Sequence, residues 1–122
     1  EGTMSRKTSK QLLHLWRHAM LEGVRAADPD LTMRQISVML SVYMTSEPHT
    51  VKGLACELNV VKPVISRALD TLSQLGYIKR TRLETDKRIV HVVRTVKGAV
   101  YLSELSERIT HAEESALKNV AS

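Results

Sequence analysis

Apolar residues recur every three or four positions along most of the chain, which is the spacing that places them on one face of an α-helix. Five segments have this pattern, and the predicted helices are residues 5–27, 32–46, 51–58, 62–75 and 96–120. Between the last two helices, apolar and polar residues alternate over 77–83 and 88–94, which is the period of β-strands. The polar residues 84–87 separate these strands and predict a hairpin turn.

Single residues with special backbone roles support these boundaries. Thr50 and Thr95 precede predicted helices, where a threonine hydroxyl accepts a hydrogen bond from a free amide of the first turn. Pro63 suits a first helical turn, because its missing N–H removes no hydrogen bond there. Asn59 and Gly76 tolerate the left-handed conformation that ends many helices. The order of elements is therefore helix, helix, short helix, tight turn, helix, hairpin and long helix.

That order predicts a mainly α fold of the α+β class, a winged helix-turn-helix with flanking N- and C-terminal dimerisation helices. Residues 1–3, before Met4, are interpreted as an expression scar and take no part in the fold prediction. The predicted divisions are residues 4–30 for the N-terminal dimerisation helix, 31–95 for the winged lobe and 96–122 for the C-terminal dimerisation helix.

The composition agrees with one compact domain. A chain of 122 residues, of which 43% are apolar, can bury a core. No apolar segment approaches the roughly 20 residues of a membrane span, and the N-terminus lacks the apolar segment of a signal peptide. The single cysteine, Cys56, excludes an intramolecular disulfide and favours a reducing compartment. We therefore expect a cytoplasmic protein without membrane contact.

Positive charge is concentrated in one third of the chain. The net charge is +5, and residues 62–94 contain eight basic and three acidic residues, whereas the remainder contains ten of each. This segment therefore holds the whole excess. A localised basic patch is typical of a protein that binds a polyanion, although a solubilising surface has the same composition.

The helix predicted over 62–75 has an outward face suited to a DNA groove. Its ~14 residues span about 21 Å, and a major groove is roughly 12 Å wide. The residues expected to face the major groove are Lys62, Pro63, Ser66, Arg67 and Asp70. Arg67 has the two parallel donors that recognise a guanine edge, although a solvated helix arginine has the same pattern. Asp70, one turn further on, is expected to orient the Arg67 guanidinium or to pair with it on the surface.

The hairpin carries most of the remaining positive charge. Arg88 follows the turn, where an arginine can enter a minor groove that A·T base pairs narrow, and Asp86 stands two residues before it, close enough to hold the guanidinium extended. The residues predicted to contact phosphates are Thr50, Lys52, Lys79, Arg80, Arg82 and Lys87. A charged hairpin also resists edge-to-edge aggregation, but that role does not require nearly all of the charge to be positive.

From Leu31 to Leu105 the chain resembles the MarR family of bacterial transcription regulators. The matching segments are TVKGLACELNVVKPVISRALDTLSQLGYIKR, then TDKR at the hairpin, then RTVKG at the start of the last helix. The resemblance implies that the helix over 62–75 is the recognition helix, that Asp86 holds Arg88 for the minor groove, and that dimers form through the terminal helices. Arg94 departs from the family pattern, which usually has leucine there.

The terminal helices predict a dimer from their own pattern as well. Their apolar stripes are longer than a winged domain of ~65 residues covers alone. A two-fold dimer places two recognition helices about 34–36 Å apart, one turn of DNA, on a pseudo-palindromic site. The residues predicted to form the interface are Leu12, Leu15, Trp16, Leu105, Ile109, Ala112 and Leu117. The alternative is that the two helices pack only on each other within one chain.

Two groups of residues suggest sites that a structural role explains as well. His14, His18 and Glu22 stand four residues apart, a spacing that seats metal ligands on one helix face, but a polar face has the same pattern. A redox-sensing role is the alternative for Cys56, but this residue has no obvious resolving partner in the sequence and is interpreted as a partly buried structural cysteine. We predict no metal and no cofactor.

Methionines on the second helix suggest, as an alternative to a core, a pocket for a small-molecule effector. The residues that would line such a pocket are Met33, Met39, Met44 and Tyr43. Methionine at helical spacing is more often part of a core than of a binding site.

No enzyme motif is present, because the sequence has no glycine-rich phosphate loop, no nucleophile motif and no carboxylate pair arranged for acid–base catalysis. The sequence predicts a dimeric, sequence-specific regulator of transcription that binds double-stranded DNA, most simply as a repressor. Two alternatives remain: a winged-helix module that binds a protein, and an architectural or replication protein with little sequence preference. The hairpin arginines favour DNA, because a protein-binding wing does not need them.

Overall fold

The computed structural model describes residues 6–121 and the side chains of residues 6–116. Its elements are α1 (Ser9–Arg25), α2 (Met33–Met44), α3 (Val51–Leu58), α4 (Lys62–Gln74), β1 (Ile78–Arg82), β2 (Val90–Arg94) and α5 (Val96–Ala121). The predicted fold class and order of elements are confirmed, since α3 and α4 with the following hairpin form a winged helix-turn-helix. The expected expression scar, residues 1–3, lies outside the described residues.

Threonine hydroxyls cap the N-termini of four of the five helices. Thr8 and Thr32 form capping boxes with the glutamines three residues after them. Thr50 and Thr95 each accept the backbone N–H three residues on at 3.0 Å, as the sequence predicts. Because Thr8 caps α1, that helix starts at Ser9 rather than at residue 5.

The ends of α3 and α4 make the tight connections of the winged lobe. Asn59 ends α3 in the left-handed conformation with a φ of 57°, and Gly76 follows α4 with a φ of 80°. The two strands pair antiparallel, with Ile78 opposite Arg94. The segment before α3 extends this sheet, because the His49 carbonyl accepts the Val92 N–H at 2.8 Å.

Arg94, the departure from the MarR pattern, closes the end of α2. Its Nε donates to the Val42 carbonyl at 2.8 Å and its Nη2 to the Thr45 carbonyl at 3.0 Å. The last carbonyls of a helix have no partner within the helix, so a guanidinium there supplies the missing donors. Leucine at this position has no such donor.

The chain divides into two compact units. One unit is Leu31–Tyr101, which contains the winged lobe, and the other combines the chain up to Asp30 with the chain from Leu102. The winged unit has an aliphatic core, whose most completely buried side chains are Met39, Leu54, Ile65, Leu69, Leu72, Ile78, Val38, Val42 and Val92.

Two ion pairs join the segments on either side of α1 to α5. Ala19 on α1 and Ala112 and Ala116 on α5 are buried. Lys7 Nζ lies 2.7 Å from Glu113 Oε2, and Arg108 pairs with Asp28.

Candidate DNA interface

Helix α4 presents a largely polar face to solvent because most of its apolar residues lie on the opposite side. Ile65, Ala68, Leu69 and Leu72 are buried in the core of the winged unit. The predicted major-groove residues lie on the outward side, where Ser66 is half-buried and the others are exposed: Lys62, Pro63, Arg67 and Asp70. The helix therefore has a continuous outward face that begins at its N-terminus.

Asp70 pairs with a residue of the hairpin rather than with its helical neighbour. Its Oδ1 lies 2.8 Å from Nη2 of Arg80 on β1. Arg67 is exposed and has no ion-pair partner among the residues that the structure describes. The prediction that Asp70 orients or pairs with Arg67 is therefore wrong. Helical spacing places Arg67 near Asp70. The packing of β1 beside α4 brings Arg80 nearer to Asp70, and this contact cannot be read from the spacing.

The wing holds Arg88 through both oxygens of one carboxylate. Arg88 Nε donates to Asp86 Oδ1 at 3.1 Å, and Nη2 donates to Oδ2 at 3.2 Å. The Arg88 backbone N–H also donates to Oδ1, at 3.1 Å. The guanidinium and then the backbone N–H stabilise the charged carboxylate, so they hold the pKa of Asp86 below its ordinary value of 3.8. The Arg88 side chain is nevertheless 92% exposed, and its direction is fixed before any ligand arrives.

Two further contacts shape the rest of the hairpin. Arg82 Nη1 donates to the Lys87 carbonyl at 2.6 Å across the turn, so the guanidinium closes the base of the wing. Lys79 and Lys87 are exposed. The ammonium groups of both lysines are therefore accessible to a polyanion, whereas the Arg80 and Arg82 guanidinium groups have partners.

The start of α3 offers backbone amides beside a cation. The Thr50 hydroxyl caps this helix, and Lys52 in its first turn is exposed. The N-terminal end of a helix carries partial positive charge, which suits a phosphate group.

The sequence pattern predicts no role for Val61, but the structure places this residue at the start of α4. Val61 is the N-cap of α4, makes no side-chain cap hydrogen bond, and is 67% exposed. It therefore adds an apolar group to the leading end of the outward face. The signal in the sequence is a valine at a position where serine, threonine, aspartate or asparagine usually caps a helix.

The cysteine prediction is wrong, because Cys56 is exposed. It lies on α3, where Leu54 and Ala55 make the buried contacts instead. The short α3 has only a narrow buried face, and residue 56 falls outside it.

The metal hypothesis gains no support from the described residues. His18 Nε2 lies 3.2 Å from Glu22 Oε2, which makes a helical i,i+4 pair. Among residues 6–116, no three histidine, cysteine, aspartate or glutamate side chains cluster in a way that holds a metal ion.

The four residues of the suggested effector pocket have separate surroundings. Met39 is completely buried, whereas Met33 and Met44 are exposed. The Tyr43 hydroxyl is bound to backbone at the hairpin. An open groove of about 590 Å³ on the winged unit includes only Met33 of the four, and it is lined by Thr32, Met33, Arg34, Ser37, Leu58 and Val60. The idea that the four side chains line one pocket is therefore wrong.

Helix α1 leaves an apolar stripe uncovered. Leu12, Trp16 and Met20 follow each other at four-residue spacing, and each is at least half exposed, Trp16 to 54%. Of the other predicted interface residues, Leu15 and Leu105 are half-buried and Ile109 is exposed. Ala112 is already buried within the chain, and the side chain of Leu117 lies outside the described residues.

The fold and this basic surface define a winged-helix protein of the kind that regulates transcription. The model of the MarR family matches residues 31–90, and this part of the chain belongs to that family. No curated protein sequence matches the chain at a significant level.

Solved structures of MarR-type regulators have the same fold. A mutant form of MepR from S. aureus is 19% identical, with a TM-score of 0.71 over 93% of this chain and 85% of that one. The regulator BldR from Sulfolobus solfataricus is 26% identical, with a TM-score of 0.61 over 88% and 77%. CouR from Rhodococcus jostii, bound to p-coumaroyl-CoA, is 20% identical, with a TM-score of 0.60 over 84% and 66%.

None of the helices within residues 6–121 has a segment both long and apolar enough to cross a lipid bilayer.

Proposed function

We propose that this chain is a cytoplasmic, dimeric regulator that binds double-stranded DNA at a specific, pseudo-palindromic site. One observation carries the proposal: an exposed arginine on the wing, Arg88, is fixed by two hydrogen bonds to Asp86. A solubilising arginine gains nothing from such fixation, whereas a groove-reading arginine loses less conformational entropy on binding.

Each part of the basic surface has a proposed contact. Helix α4 enters the major groove, where Arg67 donates two hydrogen bonds to a guanine and Ser66 donates to a base or phosphate. Lys62 and Pro63 contact the leading edge of the same site, and Val61 packs on a thymine methyl group. Arg88 enters the minor groove beside the wing.

Phosphate contacts fix the register without reading sequence. The amides at the start of α3, with Thr50 and Lys52, bind one phosphate. Lys79, Arg82 and Lys87 contact others along the hairpin. Arg80 is bound to Asp70 in the free protein, so it contacts a phosphate only after this ion pair opens.

The dimer forms through the exposed stripe of α1 together with Leu105, Ile109 and Leu117 of α5. An exposed apolar stripe of this length is typical of an interface between proteins. Two-fold symmetry places both recognition helices on one face of the DNA, about 34–36 Å apart. Binding at a promoter occludes it, so repression is the simplest outcome. We propose in addition that a small-molecule effector controls DNA binding; CouR, which has the same fold, is bound to p-coumaroyl-CoA.

The test is fluorescence anisotropy on a DNA sequence selected from a random pool, with a scrambled sequence as the control, over a range of salt. We expect the selected DNA to bind about a thousandfold more tightly, with a steep salt dependence. Equal affinity for both sequences would indicate an architectural protein. A lack of binding at low salt would remove DNA as the partner and favour a protein-binding module.

A further inference from the structure

An ion pair joins the recognition helix to the wing. Asp70 lies in the third turn of α4, and its Oδ1 is 2.8 Å from Nη2 of Arg80 on β1. The Asp70 side chain is 60% exposed and that of Arg80 34% exposed. Because both groups reach solvent, the pair lies on the surface rather than in the core.

The position of this carboxylate is unfavourable for simple attraction to DNA. Asp70 is the only acidic residue in the sequence of α4, and it stands four residues after Ser66 and eight after Lys62, on the same side of the helix. A carboxylate on that side repels phosphates. While it is paired it also neutralises Arg80, so one of the three basic residues of β1 adds nothing to the net charge of the surface.

We propose that Asp70 is a specificity-determining residue, which withholds Arg80 from phosphates until the operator offers Asp70 another partner. This inference rests on the proposed function. On non-specific DNA the pair stays closed, and Arg80 contributes no phosphate contact. On the operator, Asp70 accepts a hydrogen bond from the N4 amino group of a cytosine in the major groove, and Arg80 moves to a neighbouring phosphate.

The exchange of partners costs little free energy. An exposed ion pair contributes little to stability, because water screens its charges and two long side chains lose freedom in forming it. The operator therefore gains a base contact and a phosphate contact that a random sequence lacks. The result is a higher ratio of specific to non-specific affinity rather than a higher affinity for all DNA.

The experiment measures the salt dependence of binding to selected and to scrambled DNA for the wild type, Asp70→Asn, Arg80→Ala and the double variant. Asp70→Asn frees Arg80, so the slope on scrambled DNA should steepen by about 0.9 for one new phosphate contact. At low salt the affinity for scrambled DNA should rise about threefold to tenfold, while that for selected DNA stays constant or falls. Removing Arg80 as well should abolish the gain.

Three controls separate this role from a structural one. Lys87→Ala removes an exposed wing cation, so it should flatten the slope on both DNAs alike. Thermal unfolding of Asp70→Asn measures the contribution of the pair to stability, and a purely structural pair would lower the melting temperature without changing either slope. Arg80→Lys, which keeps the charge, should retain the wild-type slopes.

The outcomes distinguish this inference from the proposed function. A sequence-specific wild type whose slope on scrambled DNA is unchanged by Asp70→Asn would overturn the inference alone, as would a gain that persists in the double variant. Equal affinity of the wild type for every sequence would overturn the proposed function and the inference together.

Discussion

The Tyr43 hydroxyl on α2 donates a 2.6 Å hydrogen bond to the Tyr77 carbonyl, which links the second helix to the start of the hairpin. The same oxygen accepts the Thr95 N–H at 2.9 Å, just after the hairpin ends. Thr95 Oγ1 in turn donates to the Gly76 carbonyl at 2.7 Å. One phenol therefore holds both ends of the wing against α2.

Tyr43→Phe should lower the free energy of unfolding by about 1–3 kcal/mol, because it removes the hydrogen bonds that the part-buried phenol makes to the backbone of Tyr77 and Thr95. Urea denaturation followed by circular dichroism measures the change. Met44→Leu, at the exposed neighbouring position, is the matched control and should shift stability by less than about 0.5 kcal/mol. A loss as small as the control's would mean that water replaces the phenol without cost.

Gly98→Ala should be more damaging still. A Cβ atom at this position of α5 would overlap the Tyr43 hydroxyl and the Tyr77 carbonyl, so α2 and the start of the hairpin must move away from α5. We expect the free energy of unfolding to fall by about 3 kcal/mol or more, the upper end of the usual range for overpacking. Gly23→Ala is the control, since nothing lies within 4 Å of its added Cβ. Gly23 is inside α1, so alanine there should stabilise the helix by about 0.5–1 kcal/mol.

Trp16→Glu should weaken dimerisation by about thirtyfold or more, corresponding to about 2 kcal/mol for the loss of a central aromatic anchor. Sedimentation equilibrium over a range of concentrations measures the association constant. Met33→Glu is the control, because this methionine is also an exposed apolar residue but lies on the winged unit. If the two variants associate equally well, the α1 stripe is not the interface.

Arg88→Ala should weaken binding mainly at sites with A·T-rich flanks, where the narrow minor groove has its strongest negative potential. Lys79→Ala should weaken binding to all flanks about equally, because a phosphate contact reads no sequence. The measurement is a set of Kd values on one core sequence with A·T-rich and G·C-rich flanks. If each variant loses the same affinity on A·T-rich and on G·C-rich flanks, the minor groove is excluded as the Arg88 site.

Local features of the sequence predicted most of the fold. The apolar period located every helix, and single residues with one backbone role, such as Thr50, Asn59 and Gly76, marked the boundaries. The hairpin followed from the change of period, and the Asp86–Arg88 contact followed from a spacing of two residues. Each of these features depends on residues that are close in sequence, so residue spacing was enough to predict it.

Contacts between distant elements could not be predicted in this way. Asp70 has Arg67 as its helical neighbour, but Arg80 reaches it because β1 packs beside α4. Arg94 contacts carbonyls some fifty residues earlier, where α2 ends. Cys56 is exposed because α3 buries only the face that carries Leu54 and Ala55. The positions of these side chains depend on tertiary packing, which periodicity does not encode.

Val61 is an apolar N-cap, and such a residue is unfavourable for the start of α4. Serine or threonine at position 61 would stabilise α4 by about 1 kcal/mol. Val61 is 67% exposed in the free protein, so most of its surface gains no stability from burial. We expect Val61 to pack on a thymine methyl group. Replacing each thymine of the selected DNA by deoxyuridine removes one methyl group at a time, and one replacement should weaken binding about fourfold.

The variants Val61→Ala and Val61→Ser separate recognition from helix capping. Both remove the two methyl groups, so both should bind thymine and deoxyuridine DNA equally well. Only serine supplies a cap, so Val61→Ser should have the higher melting temperature of the two. Val96→Ala is the control, because it removes the same methyl groups from an exposed valine in the first turn of α5. A fourfold thymine preference that survives in Val61→Ala would assign the methyl contact to another residue of the recognition helix.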